Sequence, residues 1–332
     1  IIKLVQRKHG SITTMNINTD IQFENDKLVH FLNIEGLDPK HIHQIIDRAN
    51  EYSQAEKKKF YDLEGKTVAS LFFEPSTRTK TTFELASKKL SADFINIDIA
   101  NSSTLKGESI IDMIKTLQAM SCDMFVVRHS IAGTPHFIAK EVGNKIAVLN
   151  AGDGAHAHPT QALLDMFTIK KYKGDFEGLK VAIVGDILHS RVARSLISCL
   201  NILHVTDVRV IGPSVLMPQD LESMKIKYSE NLEDGIDNCD VVIMLRLQKE
   251  RMHEALISEV DYYNTYGLTN KKLKASKKDV IVMHPGPINR GIEIDSEVAD
   301  GEHSVILDQV SSGISVRMAI MSIIIDNRKN EK

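Results

Sequence analysis

The chain has 332 residues, a length that favours two domains over a single core. Its formal net charge is only -3, no long block of one sign occurs, and Trp is absent, so nucleic acid and anionic membrane surfaces are poor partners. Cys122, Cys199 and Cys239 are widely spaced with no CxxC pair, which argues against disulfides and structural zinc and fits a reducing, cytoplasmic setting; no apolar run reaches the length of a membrane span.

Residues 1–26 are polar and mildly basic, and read as a flexible N-terminal arm. From there on, short apolar runs alternate with helix-length segments. Strands are expected at 68–73, 94–99, 124–128, 146–150, 181–185, 208–211, 241–245 and 280–283. Helices are expected at 76–90, 108–120, 159–171, 188–201 and 313–325. Apolar strands each followed by a helix imply parallel sheets covered on both faces. The series divides at the turn-rich AGDGAHAHP (151–159), with Pro159 at a first helical position. The expected fold class is α/β, with two doubly wound parallel-sheet domains and an active-site cleft between them. One domain comprises 27–157 plus 308–332, the other 158–307. Ligands of open α/β sheets bind beyond the carboxyl ends of the strands. The polar residues that stand out recur there.

The richest segment is FFEPSTRTKTTFE (72–84). Ser76 is a good N-cap residue, and the amides of Thr77, Arg78 and Thr79 point outward at the positive end of the helix dipole. Such a start either merely caps a helix or binds an anion, and Arg78 adds a two-pronged donor face. Arg128 ends the strand in VVRHS, either as a surface ion pair or as a second cation. SSTLKGES (102–109) carries Ser102 and Lys106 on a glycine-containing loop. HPTQ sets His158 and Gln161 one helical turn apart, where both can reach one small ligand. His156 and His158 invite a metal reading, but no acidic or Cys partner stands at ligand spacing. GDILHSRVARS (185–195) lacks the second and third glycines of a dinucleotide fingerprint, and offers Arg191 to an anion instead. MLRLQKER places Arg246, Gln248 and Arg251 close behind a strand. HPGPINRG (284–291) exposes the carbonyls of Pro285 and Gly286 through a proline-stiffened turn.

Taken together, STRT, the Arg of VVRH, HPTQ, RLQKER and HPGPINRG resemble the aspartate/ornithine carbamoyltransferase family, its aspartate branch in particular. The motifs span residues 72–291 in the family's order. The resemblance implies transfer of a carbamoyl group from carbamoyl phosphate to L-aspartate, an early step of pyrimidine synthesis, without a cofactor or metal. It implies that Ser76, Thr77, Arg78, Thr79 and Arg128 hold the phosphate, that Thr79, Arg128 and His158 polarise the carbamoyl carbonyl, and that Gln161, Pro285 and Gly286 hold its amide. Ser102 and Lys106 match residues that family members lend to a neighbouring subunit, which implies a homotrimer with shared active sites. Arg191, Arg246 and Gln248 match the groups that grip the aspartate carboxylates, together with Lys106. Glu74 matches a residue that ties Arg191 and Arg251 when the domains close. The first domain would bind carbamoyl phosphate and the second aspartate. HPGPINRG is similar to the form in relatives without nucleotide-binding regulatory chains, some of which pair with dihydroorotase-like partners; either kind of partner chain stays open.

The ornithine branch is the nearest alternative. It shares STRT and HPTQ-like segments, but this chain has no Ser-Met-Gly motif, and HPGP stands where that branch has His-Cys-Leu-Pro. Two arginines and a glutamine suit a dicarboxylate better than a cationic side chain. A non-catalytic anion-binding protein on the same fold and a nicotinamide dehydrogenase are more distant readings.

Overall fold

The computed structural model describes residues 2–8, 11–17, 19–56, 58–99, 108–247 and 258–329. They fall into two compact units, Ile1–Thr160 with Gly313–Lys332, and Gln161–Ser312. Both divisions fall within helices, the first inside Pro159–Lys173 and the second inside Ile306–Lys329, each within a few residues of the expected 157/158 and 307/308.

In the first unit, β1 (Ile2–Lys8) and β2 (Ser11–Ile17) pair as an antiparallel hairpin. A 3-10 turn, Thr19–Gln22, leads to the short pair β3 (Phe23–Glu24) and β4 (Lys27–Leu28). The stretch read as an N-terminal arm thus contains this hairpin and turn. At the end of the turn Gln22 is fully buried, and its Oε1 accepts from the amides of Leu32 and Asn33 at 2.7 and 3.0 Å while Nε2 donates to the Glu35 carbonyl. One side-chain amide thus replaces a strand partner for the residues that follow.

Then follow α1 (Pro39–Gln54), β5 (Thr67–Phe72), α2 (Thr77–Lys89), β6 (Asp93–Ile97), α3 (Ile110–Ala119), β7 (Met124–His129), α4 (Thr134–Val142) and β8 (Ala147–Asp153). Strands β5 to β8 form a parallel sheet in the order β6-β5-β7-β8. Val68 to Leu71 in β5 and Met124 to Val127 in β7 are all buried, as central strands covered on both faces must be. Leu71, Phe125, Val127, Ile138 and Val148 knit the sheet to α3 and α4. Helix α2 ends with Lys88 and Lys89 in its last turn, where cations offset the exposed carbonyls.

In the second unit, α5 (Pro159–Lys173) leads into β9 (Lys180–Val184), α6 (Arg191–Ile202), β10 (Asp207–Ile211), β11 (Lys227–Ser229), α7 (Leu232–Ile236), β12 (Val241–Met244), α8 (Glu259–Tyr266), α9 (Asn270–Leu273), β13 (Ile281–Met283) and α10 (Ser296–Ala299). Helix α11 (Ile306–Lys329) begins here and ends in the first unit. The sheet is again wholly parallel, in the order β11-β10-β9-β12-β13. Its core gathers Val184, Ile211, Val242, Met244, Tyr262 and Val282. No helix among the described residues is long and apolar enough to cross a membrane.

Two histidines are buried as neutral rings in the first unit. His30 Nδ1 accepts from the Val148 amide at 3.0 Å, leaving Nε2 to carry the proton. His136 has no hydrogen-bond partner on either ring nitrogen among the described residues. Burial lowers His30 to about 3 and His136 to about 4, from an ordinary 6.5. Folded protein therefore binds fewer protons than unfolded protein as pH falls below about 6.5, and stability present above that pH is lost toward about 4, at up to about 1.4 kcal/mol per pH unit for each ring. Urea unfolding across this range should show His136→Leu with a pH slope shallower by about one proton; an unchanged slope would mean that His136 is not a source of acid sensitivity.

Candidate active site

Strand order reverses between β5 and β7 in the first sheet: β5 is followed on one side by β6, and the chain then crosses to β7 on the other. Such a reversal opens a crevice at the carboxyl ends of the two strands. Ser76 lies just past β5, at the N-cap of α2, with extended backbone; its hydroxyl makes no capping bond, so the helix start is not closed by its own side chain. Thr77 and Arg78 are exposed and Thr79 is buried. Thr82 anchors this first turn, its hydroxyl donating to the carbonyls of Arg78 and Thr79 at 2.9 and 3.0 Å.

Arg128, in the strand beside β5, stands opposite Phe72 in register. Its Nε lies 3.1 Å from Glu74 Oε2, and its Nη1 donates to the Ala151 carbonyl at 3.3 Å. The Glu74–Arg128 pair is an ion pair at the mouth of the same crevice, a partner for Glu74 that the sequence did not suggest.

The third contribution comes from beyond β8. Asp153, fully buried, organises the loop that carries His158. Its carboxylate accepts from the amides of Gly133 and Ala157, from Asn150 Nδ2, and from His156 Nδ1 at 3.0 Å. Gly154 turns the chain with φ of 50°, and a Cβ there would meet the Ala132 nitrogen at 2.9 Å. His158 emerges from this knot almost wholly buried, one residue before Pro159 opens α5. His156 is accounted for as a donor to Asp153, and no group of three or more metal-ligating side chains exists among the described residues.

The second sheet reverses between β9 and β12. Gly185 follows β9 with φ of 130°, where a Cβ would lie 3.1 Å from Leu245 Cβ; only glycine lets the two strand ends approach so closely. Asp186 then accepts from the His189 amide and pairs with its ring Nδ1, both at 3.0 Å. Ser190 caps α6 by accepting from the Ala193 amide, and Arg191 is buried in the first turn. Arg246, half-buried, follows β12. Beyond β13, the His284 ring Nδ1 accepts from the Gly286 amide at 2.8 Å, leaving Pro285 and Gly286 half-exposed in a turn that contains a cis Gly286–Pro287 bond. Gln161 lies in the first turns of α5, its Nε2 donating to Asp165 Oδ1 at 2.9 Å.

The first unit thus brings Ser76, Thr77, Arg78, Thr79, Arg128 and His158 to adjoining strand ends. The second does the same for Arg191, Arg246, Pro285 and Gly286. Ser102, Lys106, Gln248 and Arg251 lie outside the described residues. Sequence reading missed Asp153 and Glu293. Glu293, fully buried, accepts from the amides of Leu247 and Asn289 and from Asn289 Nδ2, at 2.7 to 3.0 Å, and so ties the strand end after Arg246 to the turn after His284. Burial pushes its carboxyl above the usual range, with these donors acting the other way. The only sequence signal was a lone acid between two isoleucines.

Two doubly wound units, each collecting guanidinium groups and a helix start at a strand-order reversal, make a protein suited to small anionic ligands. Residues 29–171 match the aspartate/ornithine carbamoyltransferase carbamoyl-P binding domain, and residues 177–324 match the Asp/Orn binding domain of the same enzymes. The chain belongs to the aspartate/ornithine carbamoyltransferase family. It is similar to an aspartate transcarbamoylase from Trypanosoma cruzi solved with carbamoyl phosphate and aspartate, at 30% identity and a TM-score of 0.81, over 89% of this chain and 96% of that one. The same Trypanosoma cruzi enzyme solved with N-(phosphonacetyl)-L-aspartic acid matches at 29% identity and a TM-score of 0.81, over 90% and 97%. An ornithine carbamoyltransferase from Pyrococcus furiosus reaches the same TM-score of 0.81 at 25% identity, over 90% and 97%. Backbone shape is therefore common to both branches, and the residues at the strand ends must distinguish them.

Glu293→Ala would strand the Leu247 and Asn289 amides and should destabilise the second unit by about 2–3 kcal/mol, read as a lowered urea midpoint. A variant as stable as the parent would show that Glu293 is not the tie between these two segments.

Proposed function

We propose that this chain is the catalytic subunit of an aspartate carbamoyltransferase, joining carbamoyl phosphate and L-aspartate to give N-carbamoyl-L-aspartate and phosphate in pyrimidine biosynthesis. The observation that carries the reading is the α2 start, not closed by its own cap, after β5, with Arg78 exposed on it and Arg128 at the end of the neighbouring strand. That arrangement suits a phosphate, and the family membership says which phosphate. For the acceptor amine, Arg191 and Arg246 at the reversal of the second sheet favour a dicarboxylate. Ornithine, with a cationic side chain, would meet like charge there.

In this reading Ser76, Thr77, Arg78 and Thr79 bind the phosphate together with Arg128, Ser102 and Lys106. Thr79, Arg128 and His158 direct positive potential or hydrogen-bond donors at the carbamoyl oxygen. Gln161 and the carbonyls of Pro285 and Gly286 accept from the carbamoyl amide, and Arg191, Arg246, Gln248 and Lys106 hold the aspartate carboxylates. The aspartate nitrogen attacks the carbamoyl carbon with its lone pair. As that C–N bond forms, charge gathers on the carbamoyl oxygen; the bond from carbon to the phosphate oxygen then breaks, and a phosphate oxygen takes the proton that the amine sheds. No side-chain nucleophile takes part. Holding the two reactants together supplies about 7–11 kcal/mol, and donors on the developing oxyanion about 3–4 kcal/mol more. Glu74, here beside Arg128, would exchange partners toward Arg191 and Arg251 when substrates bind.

The same reading makes the enzyme a cytoplasmic homotrimer, with Ser102 and Lys106 reaching into a neighbour's site. Carbamoyl transfer should be observed with aspartate and not with ornithine. Arg78→Ala should lower kcat/KM about a hundredfold or more. Mixed with Lys106→Ala under conditions that exchange subunits, it should regain part of the activity, since some sites would then draw both intact residues from different chains. Activity with ornithine alone would move the chain to the other branch; no regain on mixing would rule out sites shared between subunits.

A further inference from the structure

One buried carboxylate in the second unit links α5 to the turn beyond β13. Asp165 is fully buried. Its Oδ1 accepts from Gln161 Nε2 at 2.9 Å, one helical turn back, and from Gln309 Nε2 at 2.6 Å. Gln309, itself buried, turns its Oε1 to the His284 amide at 3.1 Å. The His284 ring Nδ1 then accepts from the Gly286 amide at 2.8 Å. Residues far apart in sequence, on α5, on α11 and after β13, thus depend on a single oxygen atom.

A carboxylate oxygen accepts hydrogen bonds, and Asp165 Oδ1 takes one from the NH2 end of each glutamine. For Gln161 this fixes the carbonyl oxygen as the end left to a ligand. For Gln309 it fixes the carbonyl as the acceptor of the His284 amide, which sets the turn whose Pro285 and Gly286 carbonyls are half-exposed. Every group oriented in this way is an acceptor. A carbamoyl group differs from an acetyl group of nearly the same shape in having an NH2 where acetyl has a methyl. The one offers two donors to such a set; the other leaves the acceptors unanswered.

We propose that Asp165 is a positioning residue that sets the preference of the site for an NH2-bearing acyl phosphate over an isosteric one such as acetyl phosphate. It does so by locking Gln161 directly, and the 285–286 carbonyls through Gln309 and His284, in the accepting sense. This inference rests on the assignment of Gln161, Pro285 and Gly286 to the carbamoyl amide made above.

The test uses the full chain as wild type, Asp165→Asn, Gln161→Ala and the double variant. KM and kcat for carbamoyl phosphate are measured alongside the inhibition constant of acetyl phosphate. Asparagine can offer a donor to either glutamine, which releases the lock. Asp165→Asn should raise KM for carbamoyl phosphate about tenfold while the acetyl phosphate constant stays within about twofold, so discrimination falls roughly tenfold. The double variant should be no worse than the more damaged single one, because both act on the same contact. A purely structural role would weaken both ligands alike. An unmoved ratio, or penalties that simply add, would overturn the proposal. Should Asp165→Asn fail to fold, Gln309→Ala leaves the Gln161–Asp165 bond intact and cuts only the branch to His284; it must shift the ratio in the same direction, and an unmoved ratio there also overturns the proposal. A wild-type protein that makes no carbamoyl aspartate would instead defeat the functional reading, whereas an active wild type with an unmoved ratio defeats only this one.

Discussion

Negative charge drawn out of water must meet compensating charge at once, and this requirement shapes both units. Each answers it in the same place. A parallel sheet sends all its strands in one direction, so every following helix presents its positive end at the same edge. Where strand order reverses, adjacent helix starts diverge and leave room for a ligand. In the first unit the α2 start and Arg128 occupy that position; in the second, Arg191 and Arg246 do. The topology supplies the place, and a few arginines suit it to anions.

Buried carboxylates are the second recurring device. Asp153 at the end of β8, Glu293 in the turn after His284, and Asp165 on α5 are each fully buried, and each accepts at least two hydrogen bonds from N–H donors. A carboxylate is well suited to this, since it offers several acceptor sites to loop amides that no sheet partner can reach. Removing one would leave those amides unsatisfied in a dry environment. Loops that must hold side chains in place for ligands are thus stiffened from beneath rather than by regular secondary structure.

Much of this was legible along the chain. Every expected strand from β5 to β13 exists, because apolar runs of strand length have little choice once a helix follows each. Ser76 and Pro159 stand where capping rules put them. Beyond helices such as α1 and α4 and the hairpins ahead of α1, which the reading of the chain did not pick out, two kinds of feature escaped detection. Strand β11 is short, polar and at a sheet edge, so Lys227, Tyr228 and Ser229 carry no apolar signature. Gln22, Asp153 and Glu293 matter through partners that periodicity does not report: Gln22 reaches residues past two turns, and Glu293 meets Leu247 from another strand end. A polar residue whose purpose is to satisfy distant backbone looks, in sequence, like any other polar residue.

The path of the polypeptide has a consequence for its biosynthesis. The second unit is one unbroken stretch, but the first is assembled from two, and its closing piece is the end of α11. That piece is not ornamental. Arg317 stacks over the Phe83 ring, Asn327 donates to the Leu28 carbonyl, and Arg328 reaches the carbonyls of Val29 and Asn144. On the ribosome the second unit is therefore complete before the first, which, although begun earlier, waits for the end of α11 to emerge.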